Sequence, residues 1–288
     1  MIVIETVAEM RSWSAKQAQA GKIVGFVPTM GALHAGHGSL IHRAHIDCGA
    51  VVVSIFVNPT QFGPNEDFDA YPRTWEEDKS LCKKMGADVI FKPPVKEIYP
   101  DGTRTVVEVL GWSDKLCGMT RPGHFRGVAT VVTKLFAIVR PHKAFFGAKD
   151  GQQLRIIQRM TRDLCLGVDV VRCETVREAD GLAMSSRNRY LKPAERKLAP
   201  RIYQALKAAQ DKFLAGEANA LVLTADVMNA LMKNNKLEID YVLAVDLATL
   251  EEVEDIEKPA MLAIACYLGK ARLIDNVLLA LPGWTLPA

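Results

Sequence analysis

The sequence has no long hydrophobic run and little net charge, and these two absences exclude several classes of protein. Its longest apolar stretches, such as residues 50–57, fall far short of the roughly 20 residues with which a helix crosses a bilayer. The 288 residues carry a net charge of only +3, so the sequence does not indicate the broad basic surface of a nucleic-acid-binding protein. Any anion binding would therefore have to come from a few placed residues.

Closely spaced cysteines are also missing. The six cysteines are scattered without a CxxC pair, which predicts reduced thiols and a cytoplasmic protein. The first ten residues, MIVIETVAEM, carry Glu5 and Glu9 in place of a basic stretch followed by an apolar run, which argues against a secretory signal. Hydrophobic residues, by contrast, make up 49% of the chain and charged residues 24%, the balance of a globular protein with a sizeable core.

Strand-like and helix-like segments alternate over the first part of the chain. Residues 50–57, AVVVSIFV, are typical of a strand covered on both faces. A helix pattern follows the strand-like residues 22–29, and another over residues 74–87 has acidic residues early, lysines late and Gly86 near its end. A hairpin-like stretch is predicted around residues 103–109. The alternation predicts an α/β fold with a doubly wound parallel sheet, whose ligands lie at the carboxyl ends of the strands.

The pattern changes after residue 176. Two amphipathic helical regions are followed by three strand-like runs, at residues 238–246, 260–269 and 271–279, without helices between them. This order predicts a smaller α+β unit with an antiparallel sheet. We therefore predict two domains, residues 1–176 and 177–288, with the cleft between them as the ligand site.

The segment PTMGALHAGHGSL, residues 28–40, places His34 and His37 three positions apart among glycine and alanine. The segment lies between a predicted strand and a predicted helix, where unpaired backbone N–H groups make a site for phosphate. The two imidazoles could then donate hydrogen bonds to phosphoryl oxygens as charge builds on them. The HAGH spacing resembles the HxGH signature of the nucleotidylyl-transferase superfamily.

Two other interpretations of these histidines stay open at this point. They could be ordinary loop residues. They could also form a metal site with His42 and His45, since four of the six histidines fall within twelve residues. The cluster lacks a neighbouring cysteine or an HExxH-type carboxylate, which argues against zinc.

Polar residues also stand near other predicted element boundaries in the first part of the chain. Residues 53–62, VSIFVNPTQF, place Asn58 and Gln61 at the end of a buried strand, and the amide of Gln61 suits a hydroxylated carboxylic acid. The alternative is an Asn-Pro turn with a capping amide. Residues 120–136 place Arg121 and His124 before an apolar helix, where they are candidate substrate-binding residues or ordinary surface residues.

Two later segments add candidate phosphate ligands. In FGAKDGQQ, residues 146–153, Lys149 is a compact cation, Asp150 could cap a helix or hold Mg²⁺, and Gln153 belongs to the first helical turn. The segment VREADGLAMSSRNRYL, residues 176–191, is either a polar linker or a clamp for a polyphosphate. The clamp would consist of two hydroxyls and a guanidinium, on Ser185, Ser186 and Arg187.

Taken together and in order, these segments resemble the pantoate–β-alanine ligase family. The resemblance runs from about residue 20 to residue 190 through PTMGALHAGH, VSIFVNPTQF, YPRTWEED, RPGHFRGVATVVTKLF, FGAKDGQQ and VREADGLAMSSRN. The last third of the chain is similar only in length and layout. The resemblance implies a Rossmann-like domain that binds ATP and pantoate, a smaller C-terminal lid domain, a cytoplasmic homodimer and dependence on Mg²⁺. The implied reaction joins pantoate to β-alanine through a pantoyl adenylate and releases pyrophosphate and AMP, with no nucleic acid or membrane as partner.

The resemblance also assigns roles to residues at matching positions. His37 corresponds to the catalytic acid, and His34, Lys149 and Arg187 complete the predicted catalytic set. Gln61 and Gln153 would bind pantoate, with Gln61 also near β-alanine. Asn58, Arg121 and His124 are further substrate-binding candidates, and Asp150 is the candidate Mg²⁺ ligand. Gly151 departs from the family, where a bulkier residue is common. The predicted ATP-binding residues are Met30, Gly31, Ala32, Leu33, His34, Ala35, Gly36, His37, Gly147, Ala148, Lys149, Asp150, Val176, Met184, Ser185, Ser186 and Arg187.

Two other functions remain as alternatives. One keeps the fold but transfers a cytidylyl or adenylyl group to a phosphate. The other is a non-catalytic module that binds a nucleotide or RNA, against which the low net charge argues.

Overall fold

The computed structural model describes residues 1–63, 68–233 and 236–287. The chain divides into two compact units. The first comprises Met1–Asp114, Gly118–Ala148 and Ile156–Glu174, and the second comprises Lys115–Cys117, Lys149–Arg155 and the chain from Thr175 onward. The domain division after residue 176 stays a prediction, and it did not anticipate that residues 115–117 and 149–155 group with the second unit.

A six-stranded sheet organises the first unit. Its strand order is β1-β4-β3-β2-β5-β6, and each pairing between neighbours is parallel. The predicted doubly wound parallel sheet is thereby confirmed. The strands are β1 (Ile2–Ile4), β2 (Val24–Thr29), β3 (Ala50–Ile55), β4 (Val89–Phe91), β5 (Lys143–Gly147) and β6 (Asp169–Cys173).

Capping residues and charged residues mark the ends of several helices in this part of the chain. Thr6 caps the first helix by accepting the backbone N–H of Glu9 at 3.3 Å. The third helix has acidic residues in its first turn and lysines in its last, which complements the helix dipole. The helices are α1 (Val7–Gln19), α2 (Ala35–Asp47), α3 (Trp75–Lys84), α4 (Val95–Ile98), α5 (Cys117–Thr120), α6 (His124–Val139) and α7 (Gly151–Asp163).

The core of the first unit explains why β3 is apolar. All residues of β3 except the last are buried, as expected of a strand with neighbours on both sides and helices over both faces. Val51 and Val53 of β3 pack in one cluster with Ile41 of α2, Cys82 of α3 and Ile90 of β4. This packing fixes the ends of β2 and β3, which carry the candidate site.

The hairpin-like stretch predicted around residues 103–109 is wrong, because these residues form no regular secondary structure. A side chain takes the place of a partner strand: the N–H of Val107 donates to Thr130 Oγ1 at 2.9 Å, and that hydroxyl also lies 3.3 Å from the Val107 carbonyl oxygen. Val106 and Leu110 of this stretch are 61% and 84% exposed.

The second unit contains an antiparallel sheet of three strands in the order β7-β8-β9, which confirms the predicted α+β layout of the smaller unit. Buried and half-buried residues alternate strictly along β9, so one face of this edge strand lies on the core. Leu206 and Leu223 of the helices pack in that core with Ile264 and Leu279 of the strands. The elements are α8 (Pro193–Leu198), α9 (Arg201–Leu214), α10 (Ala220–Met232), β7 (Leu237–Asp246), β8 (Ala260–Leu268) and β9 (Ala271–Leu279).

Within the described ranges, no helix combines the length and the apolar character needed to cross a bilayer.

Candidate active site

Three neighbouring strands of the first unit deliver candidate residues to one edge of the sheet. Because β3, β2 and β5 are adjacent and parallel, their carboxyl ends lie side by side, with Thr29 of β2 opposite Ile55 of β3. This is the edge at which open α/β sheets bind ligands. The ends of β2, β3 and β5 at this edge lead into the predicted segments at residues 30–37, 58–61 and 147–148.

A buried carboxylate, Asp78, fixes the loop that follows β2. Its two oxygens accept the backbone N–H groups of Ala32 at 3.0 Å and Leu33 at 2.7 Å. Thr74 Oγ1 donates to the same carboxylate at 3.0 Å. Ala32 has a φ of 49°, a left-handed conformation that costs a non-glycine residue about 1 kcal/mol or more. The Asp78 hydrogen bonds offset that cost and hold the loop in the shape that starts α2.

His34 and His37 both begin α2 and both use the same ring nitrogen. His34 Nδ1 accepts the N–H of Gly36 at 3.1 Å, and His37 Nδ1 accepts the N–H of His34 at 3.3 Å. The ring centroids are 4.1 Å apart. An Nδ1 that accepts a hydrogen bond carries no hydrogen, so both neutral rings must carry theirs on Nε2. The backbone therefore selects the tautomer in which each ring can donate from its far nitrogen.

This geometry bears on the other interpretations of the histidines. Both rings satisfy backbone donors at the start of a helix, so each has a structural contact whatever else it binds, and the loop interpretation stays untested. The zinc interpretation gains no support: the described parts of the chain contain no group of three or more His, Cys, Asp or Glu side chains placed to hold a metal.

Gln61 lies in a short 3-10 helix, Pro59–Gln61, that follows β3, and Asn58 organises it. Asn58 is fully buried and donates from Nδ2 to Gln61 Oε1 at 3.0 Å and to the Gly127 carbonyl at 3.2 Å. Its Oδ1 accepts from the hydroxyl of Tyr99 at 3.0 Å. Burial raises the pKa of Tyr99, which keeps that hydroxyl protonated as a donor. The bond to the Gln61 oxygen fixes the orientation of the amide and identifies the other end of the group as its N–H₂ donor.

Arg121 and His124 hold the same segment from its backbone side. His124 Nδ1 lies 2.9 Å from the Gln61 carbonyl oxygen and must donate to it, which leaves Nε2 to accept from Arg121 Nη1 at 3.1 Å. Arg121 Nη2 also donates to the Gln61 carbonyl at 3.3 Å. A Cβ on Gly127 would lie 2.3 Å from the carbonyl oxygen of Thr60, so only glycine lets α6 pass this close.

A cavity of about 810 Å³ adjoins this network in the first unit. Three arginines and a histidine line it, and no acidic side chain does so among the residues that the structure describes. The cavity therefore suits a molecule with negative charge. Its charged lining consists of Arg104, Arg121, His124 and Arg126, and Gln61 also borders it.

The predicted Lys149 turn is a 3-10 helix, Ala148–Asp150, that leads into α7. The Lys149 side chain is 18% exposed and its Nζ lies 3.9 Å from Asp150 Oδ1, while the Asp150 side chain is 47% exposed. Asn276 Nδ2 donates to the Lys149 carbonyl at 2.9 Å. A Cβ on Gly151 would lie 2.4 Å from Met261 Sδ, so only glycine fits at this position unless Met261 moves. Gln153 follows, half-buried, in the first turn of α7.

The predicted serine–arginine segment begins at a small antiparallel loop. The Met184 N–H donates to the Val176 carbonyl at 3.0 Å, and Arg177 pairs with Ala183 as a β-bridge. Ser185 Oγ then accepts the N–H of Arg187 at 3.2 Å and caps the 3-10 helix Ser186–Tyr190. Val176 and residues 184–187 are thus brought together within the second unit.

Ion pairs anchor that loop. Arg177 donates to Asp275 Oδ2 at 2.6 Å and Oδ1 at 3.0 Å, and its guanidinium lies 3.6 Å from the ring centroid of Tyr203. Arg196 donates to Asp180 at 2.6 Å, which lowers the pKa of that carboxyl, and also to Glu178. Two independent pairs therefore hold the residues that lead to Met184.

The sequence did not reveal five of the residues that shape these segments. Asp78, Arg177 and Asn276 carry no local signal, because their partners are distant in the chain. Asp275 carries one: it occupies a buried position in the alternation of β9, where an unpaired carboxylate would be costly. The fifth residue is Gly127.

These elements define a parallel α/β protein with a pair of helix-starting histidines at the carboxyl edge of its sheet. The chain belongs to the pantoate-beta-alanine ligase family, whose sequence model matches residues 2–278. It is 53% identical to the pantothenate synthetase of Thermotoga neapolitana over 279 residues, which cover 97% of this chain and all of that protein.

Solved structures agree with this assignment. The crystal structure of pantothenate synthetase from Thermus thermophilus superposes with a TM-score of 0.90 at 45% identity, over 96% of this chain and 99% of that one. The pantoate-beta-alanine ligase of Francisella tularensis, crystallised with beta-gamma ATP and beta-alanine, gives a TM-score of 0.79 at 36% identity over 96% and 97% of the two chains.

Proposed function

We propose that this protein is an ATP-dependent ligase that condenses (R)-pantoate with β-alanine to give pantothenate, AMP and pyrophosphate. The observation that carries the proposal is the fixed tautomer of His34 and His37, which places the N–H of each neutral ring on Nε2 at the start of α2 in a member of this family. The relative crystallised with ATP and beta-alanine supports the choice of substrates.

The proposed chemistry has two steps. A carboxylate oxygen of pantoate attacks the α-phosphorus of ATP, the bond to pyrophosphate breaks, and a pantoyl adenylate forms. The amine of β-alanine then attacks the acyl carbon, AMP leaves, and the nitrogen loses a proton. Adenylation supplies the leaving group that a carboxylate lacks, and no covalent enzyme intermediate is required. A closing lid domain would protect the adenylate from water.

His34, His37, Lys149 and Arg187 are the proposed catalytic residues. Each would donate to oxygens on which negative charge grows in the first step, as preorganised donors do in other phosphoryl and acyl transfers. Met30 to Leu33, Ala35, Gly36, Gly147, Ala148 and Val176 would bind the nucleotide mainly by shape and backbone. Met184, Ser185 and Ser186 would contact the phosphates.

Gln61 and Gln153 are the proposed pantoate ligands, with Gln61 also close to β-alanine. The hydrogen bond from Asn58 to Gln61 Oε1 supports this role, because it orients the amide N–H₂ as a donor to a hydroxyl or carboxylate. Arg121 and His124 support the Gln61 backbone and line the positively charged cavity, which suits carboxylic acid substrates.

Asp150 is the residue that we propose as a ligand of Mg²⁺. Mg²⁺ is commonly held by one or two carboxylates together with substrate phosphates, so one half-exposed carboxylate beside Lys149 fits such a site. Bound there, the ion would neutralise charge on the triphosphate.

We also propose that the protein is a cytoplasmic homodimer without nucleic-acid or membrane partners. The exposed Val106 and Leu110 offer apolar surface for a subunit contact. Light scattering of the wild-type chain and of Leu110→Glu tests this, and a wild-type monomer at micromolar concentration would contradict it.

The test of the reaction is mass spectrometry after incubation with ATP, Mg²⁺, pantoate and β-alanine, omitting each in turn. We expect pantothenate and AMP only from the full mixture. Isotope exchange within ATP should require pantoate but not β-alanine. A nucleotidylyl product on a phosphate acceptor, or exchange without pantoate, would contradict the proposal.

A further inference from the structure

We propose that Asp275 and Asn276, neighbours on β9, are positioning residues that hold the Lys149 turn and the loop of residues 177–187 to one strand, so that both segments meet the ATP phosphates as a single element. The inference rests on the proposed function, because it takes from there that Lys149 and Arg187 contact ATP.

The first observation concerns Asp275. Its side chain is 3% exposed and binds both terminal nitrogens of Arg177, at the base of the loop that ends in Ser185. The Asn276 N–H also donates to Asp275 Oδ1 at 2.8 Å. The carboxylate therefore ties the loop to β9, the last strand of its sheet.

The second observation concerns Asn276. Its amide donates to the carbonyl of Lys149 at 2.9 Å, the residue whose side chain is the proposed phosphate ligand. A hydrogen bond to the main chain restrains the backbone from which the lysine extends, whatever its side chain does. Neighbouring residues of a strand point to opposite faces, so Asp275 and Asn276 can serve two segments without crowding each other.

The third observation is the contact between β9 and the 3-10 helix Ser186–Tyr190, which contains the proposed phosphate ligands Ser186 and Arg187. Both candidate phosphate-binding segments therefore contact the same strand, β9. Arg177 uses its positive charge to bind Asp275 and the Tyr203 ring, and these contacts hold the loop in place. A shift of β9 would move both segments together.

Steady-state kinetics of the full chain test the inference. Asn276→Ala should raise KM for ATP about fivefold, the worth of about one hydrogen bond, while kcat and KM for pantoate change little. Asp275→Asn should raise KM for ATP at least as much. In the double variant Asn276→Ala with Lys149→Ala, ATP affinity should fall no further than in Lys149→Ala alone, since the two residues act in series.

A matched control lies on the same sheet. Arg272 of β9 donates twice to Asp240 of β7, at 2.7 and 3.1 Å, in a pair about as buried as Arg177–Asp275. Asp240→Asn should cost stability to a similar extent and leave KM for ATP unchanged. Should Asp275→Asn fail to fold, Asn276→Ala and Arg177→Lys provide the comparison.

Two results would overturn the inference: unchanged KM for ATP in folded Asn276→Ala and Arg177→Lys, or an equal rise in Asp240→Asn. These are distinct from failure of the proposed function. If Lys149→Ala and Arg187→Ala themselves leave ATP kinetics unchanged, the assigned ATP roles are wrong. If those two variants are impaired while Asn276→Ala is normal, only the positioning role is wrong.

Discussion

The two units fix their candidate phosphate-binding segments by different means. In the first, Asp78 holds the loop before α2 through backbone N–H groups of Ala32 and Leu33. In the second, Asp275 holds its loop through the guanidinium of Arg177. Any residue but proline supplies a backbone N–H, whereas the guanidinium depends on one side chain. The comparison teaches that the first loop tolerates changes in its own side chains better than the second.

The largest expected effect comes from breaking the proposed chemistry in either unit. We expect His37→Ala and Lys149→Ala to lower kcat by on the order of 100-fold or more, as loss of a preorganised donor does. His37→Asn separates two roles, because its oxygen can still accept the His34 N–H while the Nε2 donor is gone. It should therefore keep stability and lose activity.

The control for these variants is His42→Ala, which removes an exposed histidine from the same helix. Rapid-quench measurement of AMP formation with correctly folded protein gives the rate. Turnover like the wild type in His37→Ala or Lys149→Ala would reject the assigned role of that residue.

The next effect sharpens the comparison of the two carboxylates. Asp78→Ala leaves two buried N–H donors without their acceptor and should cost about 3 kcal/mol of unfolding free energy. Asp78→Asn should cost less, since its amide retains one oxygen. Urea unfolding followed by fluorescence gives the values. Equal midpoints for Asp78→Ala and the wild type would contradict a structural role for this carboxylate.

A smaller effect is expected where α6 approaches the Gln61 segment. Gly127→Ala places a methyl group against the Thr60 carbonyl and should cost about 2 kcal/mol, with a raised KM for pantoate. Gly38→Ala is the matched control, because a Cβ there would meet its nearest atom at an ordinary 3.5 Å. Similar thermal midpoints for the two variants would show that the close approach is not restrictive.

The smallest effect uses one buried thiol in each unit as a reporter. Burial raises the pKa of Cys82 in the first unit and of Cys266 in the second from 9.0 to about 12. At pH 8 both thiols are protonated and shielded, so iodoacetamide should label exposed Cys165 first. Because only the unfolded chain ionises these thiols between pH 9.0 and about 12, native stability should fall as the pH rises through that range.

Mass spectrometry of the labelled sites then tells the units apart. Asp78→Ala should speed labelling of Cys82 more than of Cys266, and Asp275→Asn should do the reverse. Identical acceleration at both thiols in both variants would mean that the two units open together.

The fold could be predicted because it depends on local periodicity. The apolar run of β3 and the three strand-like runs without helices between them near the end of the chain each predicted the right kind of sheet. The stretch at 103–109 was mispredicted since the Thr130 hydroxyl, which occupies the Val107 backbone, is more than 20 residues away. The same distance problem conceals Asp275, 98 residues from Arg177, and Asp78, 46 residues from Ala32.

For the site, the sequence predicted a set of segments, and both their involvement and the roles of their residues stay predictions. It could not predict how the segments are held, because a carboxylate or amide gives no sign of which backbone it will bind. The ring orientation of His34 and His37 was likewise out of reach, since it depends on two hydrogen bonds around 3 Å long.

The glycine at position 151 limits which substitutions this part of the chain can accept. Met261 Sδ fills the space that a β-carbon there would claim, so the two positions are coupled. A larger residue at position 151 would require the Met261 side chain to move or position 261 to change. A design that grafts this turn from a homologue should therefore vary position 261 together with position 151, although 110 positions separate the two.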